Sequence, residues 1–561
     1  MTAKIAFLLA SFCAPAWAGG AFVTVLPDKP STLDPAAVCD HYSLAVAFNI
    51  YEPLLFFGDT YSDFKPAISS ETPSRENGLV SPDGLVYTFP IRKDVKFHDG
   101  TPLTAEDVRY SLVRLMMMDA PGRPAALFLR PLLGVGSIRG PDGGFRVKYE
   151  DFAKAVRADG SSVVITLKKP YSRFLEIAAS WPFVMSKSWT AAHGGWDGAP
   201  DTWQKHASAP SGAETEANGT GPFRLENFTS ATGRAVLARN GNYWRAPARA
   251  NRLVFLTEPS ENTRQAMLEA GDADFADFSR ASLPHLRGMK TVTITEGLPN
   301  RSVKFAAFNF AIAVASNPMA GSGLLDGKGV PPDFFADENA RKGFAFALDY
   351  GKLLDMSGGG AIRPATPLRR PGGPESPPYS LNPEKAARHL KKAHGGRLWK
   401  NGFYIEAVCG DGDYESRAAM ELLACGLKKL NPNFRLRVKT MPLPELLNRL
   451  PESRFPIFAL KAESDTPGFY GLAFTMLHSE GAVPYAQHYR NPQADKYLDG
   501  AFGGAIALEK LDRIYAQDAP YMLLFTTDAF VARREGAFGP DALTGVFALH
   551  NYPDYYKVEK R

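Results

Sequence analysis

Between residues 85 and 91 apolar side chains recur at every second position, Leu85, Tyr87, Phe89 and Ile91, the period that places them on one face of a strand. Pro90 lies inside that run and predicts an edge strand or a bulge, because proline cannot donate to a ladder. A second strand-like run through Val95 and Phe97 leads into His98-Asp99-Gly100, where Gly100 can take the positive φ of a tight turn. The period then changes. Val108, Leu112, Leu115 and Met116 follow helical spacing, and Thr104 with Asp107 three residues on reads as a capping box. Strand, strand, turn and helix are thus predicted within 83–112.

The same signals continue along the chain. Phe223 and Leu225, then Ala235 and Leu237, make two short strands joined by a polar turn with Gly233, a predicted hairpin. Pro259 and Ser260 enter a helix that Gly271 ends. Strands and helices mix without strict alternation, which predicts an α/β fold, or mixed α+β. Residues 317–335 and 358–380 are rich in glycine and proline and read as ordered surface loops.

Composition narrows the class. The chain has 561 residues, more than one hydrophobic core usually serves, so several domains are expected. With 45% hydrophobic and 22% charged residues it is too apolar for a disordered chain. The net charge of +5 comes without any long basic block, so nucleic acid is not expected as a partner. Lys4, the apolar stretch IAFLLASFC and the small-x-small site at 16–18 read as a signal peptide over 1–18, cut near Ala18. A periplasmic, soluble mature chain is expected, because no other apolar run reaches the roughly twenty residues that span a membrane. Lipid anchoring through Cys13 is the minority reading, since bulky Phe12 precedes it.

Export permits disulfides. Cys409 ends an apolar run and Cys425 lies in the helical pattern that follows, so a strand with a helix packed on it could bridge them, stabilising by roughly 3 kcal/mol. Two buried thiols are the other reading. Cys39 is left without a partner and is expected to be a semi-buried thiol.

An exported hydrolase is the competing class. The chain lacks a G-x-S-x-G elbow, an H-E-x-x-H pair, a C-x-x-C pair and a phosphate-binding loop. S-x-x-K occurs at 62–65 but without its partner motifs, and the ten histidines are scattered. No cofactor is expected.

Taken in order, STLDPA (31–36), YEPLLFF (51–57), PDGLVYTFPIRKDVKFHDGTPLTAEDV (82–108), GTGPFRLENF (219–228), RNGNYW (239–244), RKGFAFALDYGKLL (341–354) and PEKAARHLKKA (383–393) resemble the extracellular solute-binding proteins of peptide and nickel ABC transporters, family 5. The resemblance implies a type II-like periplasmic binding protein, with two lobes around a hinge and an extra domain. Residues 19–55, 183–258 and 520–561 would form the first lobe, 56–182 the extra domain and 259–519 the second lobe, with crossovers at Pro259 and Pro520. It further implies a monomeric, non-enzymatic protein. The lobes would close on a peptide or similar solute and deliver it to membrane permease subunits.

For the site, the family's acid that pairs with a ligand ammonium aligns, on Pro467, with Glu463, and Asp465 lies two residues on. A carboxylate at a strand end can accept charge-assisted hydrogen bonds; an acid near a turn can equally cap the next helix. Asp40, His41 and Tyr42, after STLDPA, would supply an acceptor, a switchable donor and an aromatic wall from the first lobe. Asn309, Phe469 and Tyr470 are weaker candidates. Leu460 stands where ammonium-binding members often have tryptophan, and Asp411 and Asp413 would repel a carboxylate where dipeptide binders place arginine. A longer peptide, or another cationic or neutral solute, is favoured over a dipeptide. His41, His478 and His488 meeting around a metal chelate would make nickel the alternative cargo. Trp181, Trp189, Trp196, Trp203 and Trp244 are expected in the core.

Overall fold

The computed structural model describes residues 20–559 except 39, 59–62, 121–122, 141, 172, 182, 208–212, 299, 301, 358–359, 369–372, 465–468, 500–504 and 545–551. The opening segment folds largely as its pattern dictates. The strand Val86–Pro90 buries alternate residues and lies at the edge of its sheet, where Pro90 needs no ladder donor on its free side. Gly100 takes φ +88°. The helix Ala105–Met117 starts with the Thr104–Asp107 capping box and buries Val108, Leu112, Leu115 and Met116 completely. One expectation fails: Val95 and Phe97 are buried, but that run makes only an isolated bridge between Lys96 and Pro102.

Two mixed sheets organise the chain. The first contains β1 (Ala21–Leu26), β7 (Phe223–Thr229), β8 (Arg234–Arg239), β9 (Arg252–Thr257), β10 (Phe275–Ala276), β11 (Val292–Leu298) and β18 (Ala529–Arg534), in the order β11-β18-β10-β1-β9-β8-β7. β1 is parallel to both neighbours and buried along its whole length, as a strand covered on both faces must be. β7 and β8 are the predicted hairpin, with Gly233 in its turn at φ +67°. The second sheet contains β12 (Ser302–Phe308), β13 (Ala361–Ile362), β14 (Phe403–Gly410), β15 (Phe434–Met441), β16 (Ile457–Glu463) and β17 (Tyr521–Thr527), in the order β13-β17-β12-β16-β14-β15. Between β1 and β7 in sequence lies the extra domain. It holds β2 (Leu55–Phe57) paired with β3 (Phe64–Pro66), and β4 (Val86–Pro90), β6 (Ser162–Thr166) and β5 (Val156–Asp159) in a three-stranded sheet.

The cores follow the sheets. One continuous apolar cluster joins one face of the first sheet to the extra domain, through residues such as Phe22, Ile50, Phe89, Leu112 and Phe174. The second sheet carries its own cluster on each face, one around Phe308 and Phe344, the other around Phe305 and Phe458. The first lobe and the extra domain therefore share a core, and the second lobe is built separately. The GTG motif serves the shared part: a Cβ on Gly219 would meet the Ile50 carbonyl oxygen at 2.0 Å, so only glycine permits that approach.

Sheet membership departs from the expected crossovers at Pro259 and Pro520. Residues 261–298 add β10 and β11 to the first sheet, and β17 belongs to the second. Pro259 lies just ahead of the helix Glu261–Ala270, and Pro520 just ahead of β17; both introduce elements without changing sheet. The chain changes sheet between β11, which ends at Leu298, and β12, which starts at Ser302, and it returns at Asp528. These crossings are tied together: Asn300 Nδ2 donates to Thr527 O at 2.8 Å, and Arg280 Nη1 to Asp528 O at 3.0 Å.

The Cys409–Cys425 bridge is not formed. Strand β14 does place Cys409 in the core, but Cys425 sits on the exposed side of the helix Tyr414–Leu430, whose buried positions include Met420, Leu423 and Leu427. Cys39 lies outside the described residues.

Candidate ligand-binding cleft

Asp40 is a helix cap. Its carboxylate accepts from Ser43 N and Ser43 Oγ, both at 2.7 Å, and from Ser31 Oγ at 2.6 Å, which fixes the start of α1 (His41–Ile50) and pins the STLDPA segment to it. With three of its roughly four acceptor positions so engaged, Asp40 orients its neighbours. His41, the first residue of the helix, reaches across the cleft.

On the opposite lobe, Glu463 ends β16 directly opposite Ser302, which begins β12. His41 Nε2 and Glu463 Oε2 are 3.3 Å apart, so the structure brings together two candidates separated by most of the chain. Lys461 Nζ lies 3.6 Å from the same carboxylate oxygen. The pair is partly exposed, with His41 at 45% and Glu463 at 25%, a setting in which an ion pair contributes about 0–1 kcal/mol. Such a contact is weak enough to be exchanged for a ligand. Tyr42 is half-buried against the first core, and burial, reinforced by the carboxylates of Asp277 and Asp28, pushes its phenol up to about 12.

The remaining candidates separate from this point. Asn309 follows the other end of β12, roughly 20 Å along the strand from Ser302. It is 1% exposed, donates to the carbonyls of Ser453 and Phe455 and accepts from Ala311 N, so it is a structural residue and not a cleft residue. His488 binds Ser453 Oγ at that same far end, which removes it from any cluster with His41 and His478. Among the described residues no group of three or more histidines, cysteines or carboxylates is placed to hold a metal ion. Asp465 lies outside the described residues, as do the side chains of Phe469 and Tyr470, whose backbone opens the helix Phe469–Leu477. Asp413, expected to repel a carboxylate, caps the helix Tyr414–Leu430 and is paired with Lys304.

Glu463 also opens onto a cavity of about 640 Å³ between the extra domain and the second lobe. One wall is Arg123, Pro124 and the helix Ala125–Leu133, with Lys169, Tyr171 and the helix Phe174–Ser180 beside it. The other is the helix Phe469–Leu477 with the residues that follow it. Arg123, Leu127, Arg130 and Gly134 recur at the three-to-four-residue spacing of one helical face. Two ion pairs cross the cavity: Lys169 Nζ to Asp499 Oδ2 at 2.6 Å, and Arg130 to Glu480. Arg130 also lies over the Phe474 ring, 5.1 Å from its centroid. Burial alone would raise the Asp499 carboxyl, but the His478 imidazole and the Lys169 ammonium hold it down at about 2.

Sequence reading missed this wall. Trp196 and Trp203 are core residues as expected, and Trp189 and Trp244 pack against that core half-buried. Trp181 is buried too, donating to Pro35 O at 2.7 Å, yet one side of it faces the cavity. The signal that was available is the one-sided spacing of Arg123, Leu127 and Arg130.

The pattern of the bacterial extracellular solute-binding proteins, family 5, matches residues 74–483, and the chain belongs to this family. It is similar to heme-binding protein A of Haemophilus influenzae, 25% identical over 434 residues that make up 75% of this chain and 70% of that one. It is also similar to the glutathione-binding protein GsiB of Escherichia coli K12, 26% identical over 71% of this chain and 65% of the relative. The matched region is thus about two thirds of these relatives' length. The fold is that of the periplasmic binding protein DppA of Helicobacter pylori in complex with the peptide STSA, with a TM-score of 0.70 at 20% identity over 95% of this chain and 98% of that one. HbpA2 of Haemophilus parasuis matches with a TM-score of 0.68 at 19% identity over 96% and 99%. These are type II periplasmic binding proteins, and the mixed sheets described above are their architecture. Among the described residues no helix is long and apolar enough to cross a membrane.

Proposed function

We propose that this chain is the substrate-binding component of an ABC importer. It captures a peptide or similar solute in the periplasm between its lobes and passes it, unchanged, to a membrane permease. The observation that carries this reading is the His41–Glu463 contact at 3.3 Å across the cleft, beside a cavity of about 640 Å³. That volume is in the range of small-ligand sites. Glu463 would exchange His41 for the ligand's cationic group, and each lobe would supply part of the ligand's surroundings only when both are near. Micromolar capture corresponds to about 8 kcal/mol, within reach of a few hydrogen bonds, one charge pair and apolar contacts. The relatives' bound molecules, a peptide for DppA and glutathione for GsiB, favour a peptide-like solute. A signal peptide over 1–18 accounts for export.

The test is calorimetry of the purified chain against free tetrapeptides and their N-acetylated forms, with mass spectrometry of the recovered peptide. The expected result is binding of the free forms, loss of at least tenfold on acetylation or in Glu463→Gln, and recovery of uncleaved peptide. Unchanged affinity in Glu463→Gln would remove Glu463 from the site, and cleavage of the peptide would overturn the transport reading.

A further inference from the structure

We infer that the cavity between the extra domain and the second lobe receives a carboxylate of the bound solute, and that Arg123 selects for it. This rests on the solute-binding reading above and adds which end of the solute goes where.

Most charges in the wall are already matched. Lys169 faces Asp499, Arg130 faces Glu480, Arg173 faces Glu176 and Glu463 faces His41. Arg123 differs. Among the described residues its guanidinium has no carboxylate partner, only the Met118 carbonyl at 3.3 Å. A planar guanidinium on the wall of a cavity is suited to two parallel hydrogen bonds with a carboxylate.

His478 is already engaged. Its Nδ1 accepts the Glu480 N–H at 3.1 Å, and its buried Nε2 faces Asp499 Oδ1 at 3.3 Å and Asp495 Oδ1 at 3.9 Å. The ring stacks on Phe474, 4.3 Å between centroids, and forms part of the wall opposite Arg123.

Tyr485, 69% exposed, adds an aromatic face with no competing burial. The Arg123 guanidinium and the Glu463 carboxylate thus open onto one cavity. That set complements a solute with both an ammonium and a carboxylate. It places the carboxylate against the extra domain, away from Asp411 and Asp413 on the second lobe.

The experiment exposes the full chain to two random tetrapeptide libraries, one of free acids and one of C-terminal amides, and counts captured peptide by native mass spectrometry. Wild type is expected to retain free acids at least tenfold over amides. Arg123→Gln should abolish that preference and Arg123→Lys should restore part of it. A third library, N-acetylated, should be rejected by both variants as by wild type, because Glu463 is untouched. Equal capture of acids and amides by wild type, or a full preference in Arg123→Gln, overturns this inference alone. Capture of neither acids nor amides overturns the solute-binding reading with it.

Discussion

Lys169 Nζ stands 2.6 Å from Asp499 Oδ2, joining the extra domain to the second lobe across the cavity. With Arg130–Glu480 it forms a second link between bodies that do not share a core. Both links are partly exposed, so each contributes little to global stability. Their effect is on the equilibrium between open and closed forms. Lys169→Gln combined with Arg130→Gln should leave the unfolding midpoint nearly unchanged while expanding the ligand-free molecule in small-angle X-ray scattering. High salt should expand wild type in the same direction and have little further effect on the double variant.

Asp499 gives the same boundary a pH dependence. Its folded pKa, about 2, is below the ordinary aspartate value near 4, so its contribution is fully present above about 4 and is lost as pH falls towards 2. Thermal unfolding of wild type should therefore soften between pH 4 and 2 more than that of Asp499→Asn. Equal acid sensitivity of the two proteins would contradict the assignment.

Glu52 works in the opposite sense. Burial raises its carboxyl to about 7 despite hydrogen bonds from Tyr243, Thr220 and Trp244. The folded state therefore holds a proton that the unfolded chain releases near its ordinary value of about 4.3, and stability falls as pH rises from about 4 to 7. Glu52→Gln should flatten that slope in urea unfolding. Glu52→Ala should cost about 1–3 kcal/mol near pH 4, because buried donors lose their acceptor, and less as pH rises towards 7.

Asp34 and Arg114 form a fully buried pair, with Nη1–Oδ1 at 2.8 Å, that binds STLDPA to the helix Ala105–Met117. Asp34→Ala strands a buried guanidinium and should lower the unfolding free energy by about 3–5 kcal/mol. Replacing both residues by apolar ones of similar size should recover much of that loss.

The two thiols can be checked directly. Burial pushes Cys409 up to about 11, whereas Cys425 is exposed. Iodoacetamide should label Cys425 in the native protein and Cys409 only after unfolding, and a non-reducing digest should contain no peptide linking the two.

What was legible in the sequence was mostly local or carried by the family resemblance. The Thr104 cap, the stripe from Val108 to Met116 and the Gly233 hairpin each depend on residues a few positions apart. Asp40 was legible as an acceptor, but its role as a cap depended on Ser31 and Ser43. Glu463 and His41 were found separately, one by alignment and one by position after STLDPA; only folding brings them to 3.3 Å. The cavity wall was not legible, because Arg130 and Glu480, or Lys169 and Asp499, lie more than three hundred positions apart. Asn309 failed for a related reason: a polar residue after a strand reads the same at either end, and the register of β12 against β16 decides which end reaches the cleft. The expected crossovers failed because proline marks the entry to an element whether or not the chain then changes sheet.

The interleaving of the first sheet has a consequence for how the molecule is made. β1 leaves the ribosome more than two hundred residues ahead of its neighbours β9 and β10. β18, which closes the sheet onto β10 and β11, comes later still, and Thr24 Oγ1 donates to Tyr555 Oη at 3.1 Å. Contacts of such long sequence separation form slowly, and here they cannot all form until β18 has been made. The first lobe therefore waits for its closing strand while the whole second sheet is synthesised.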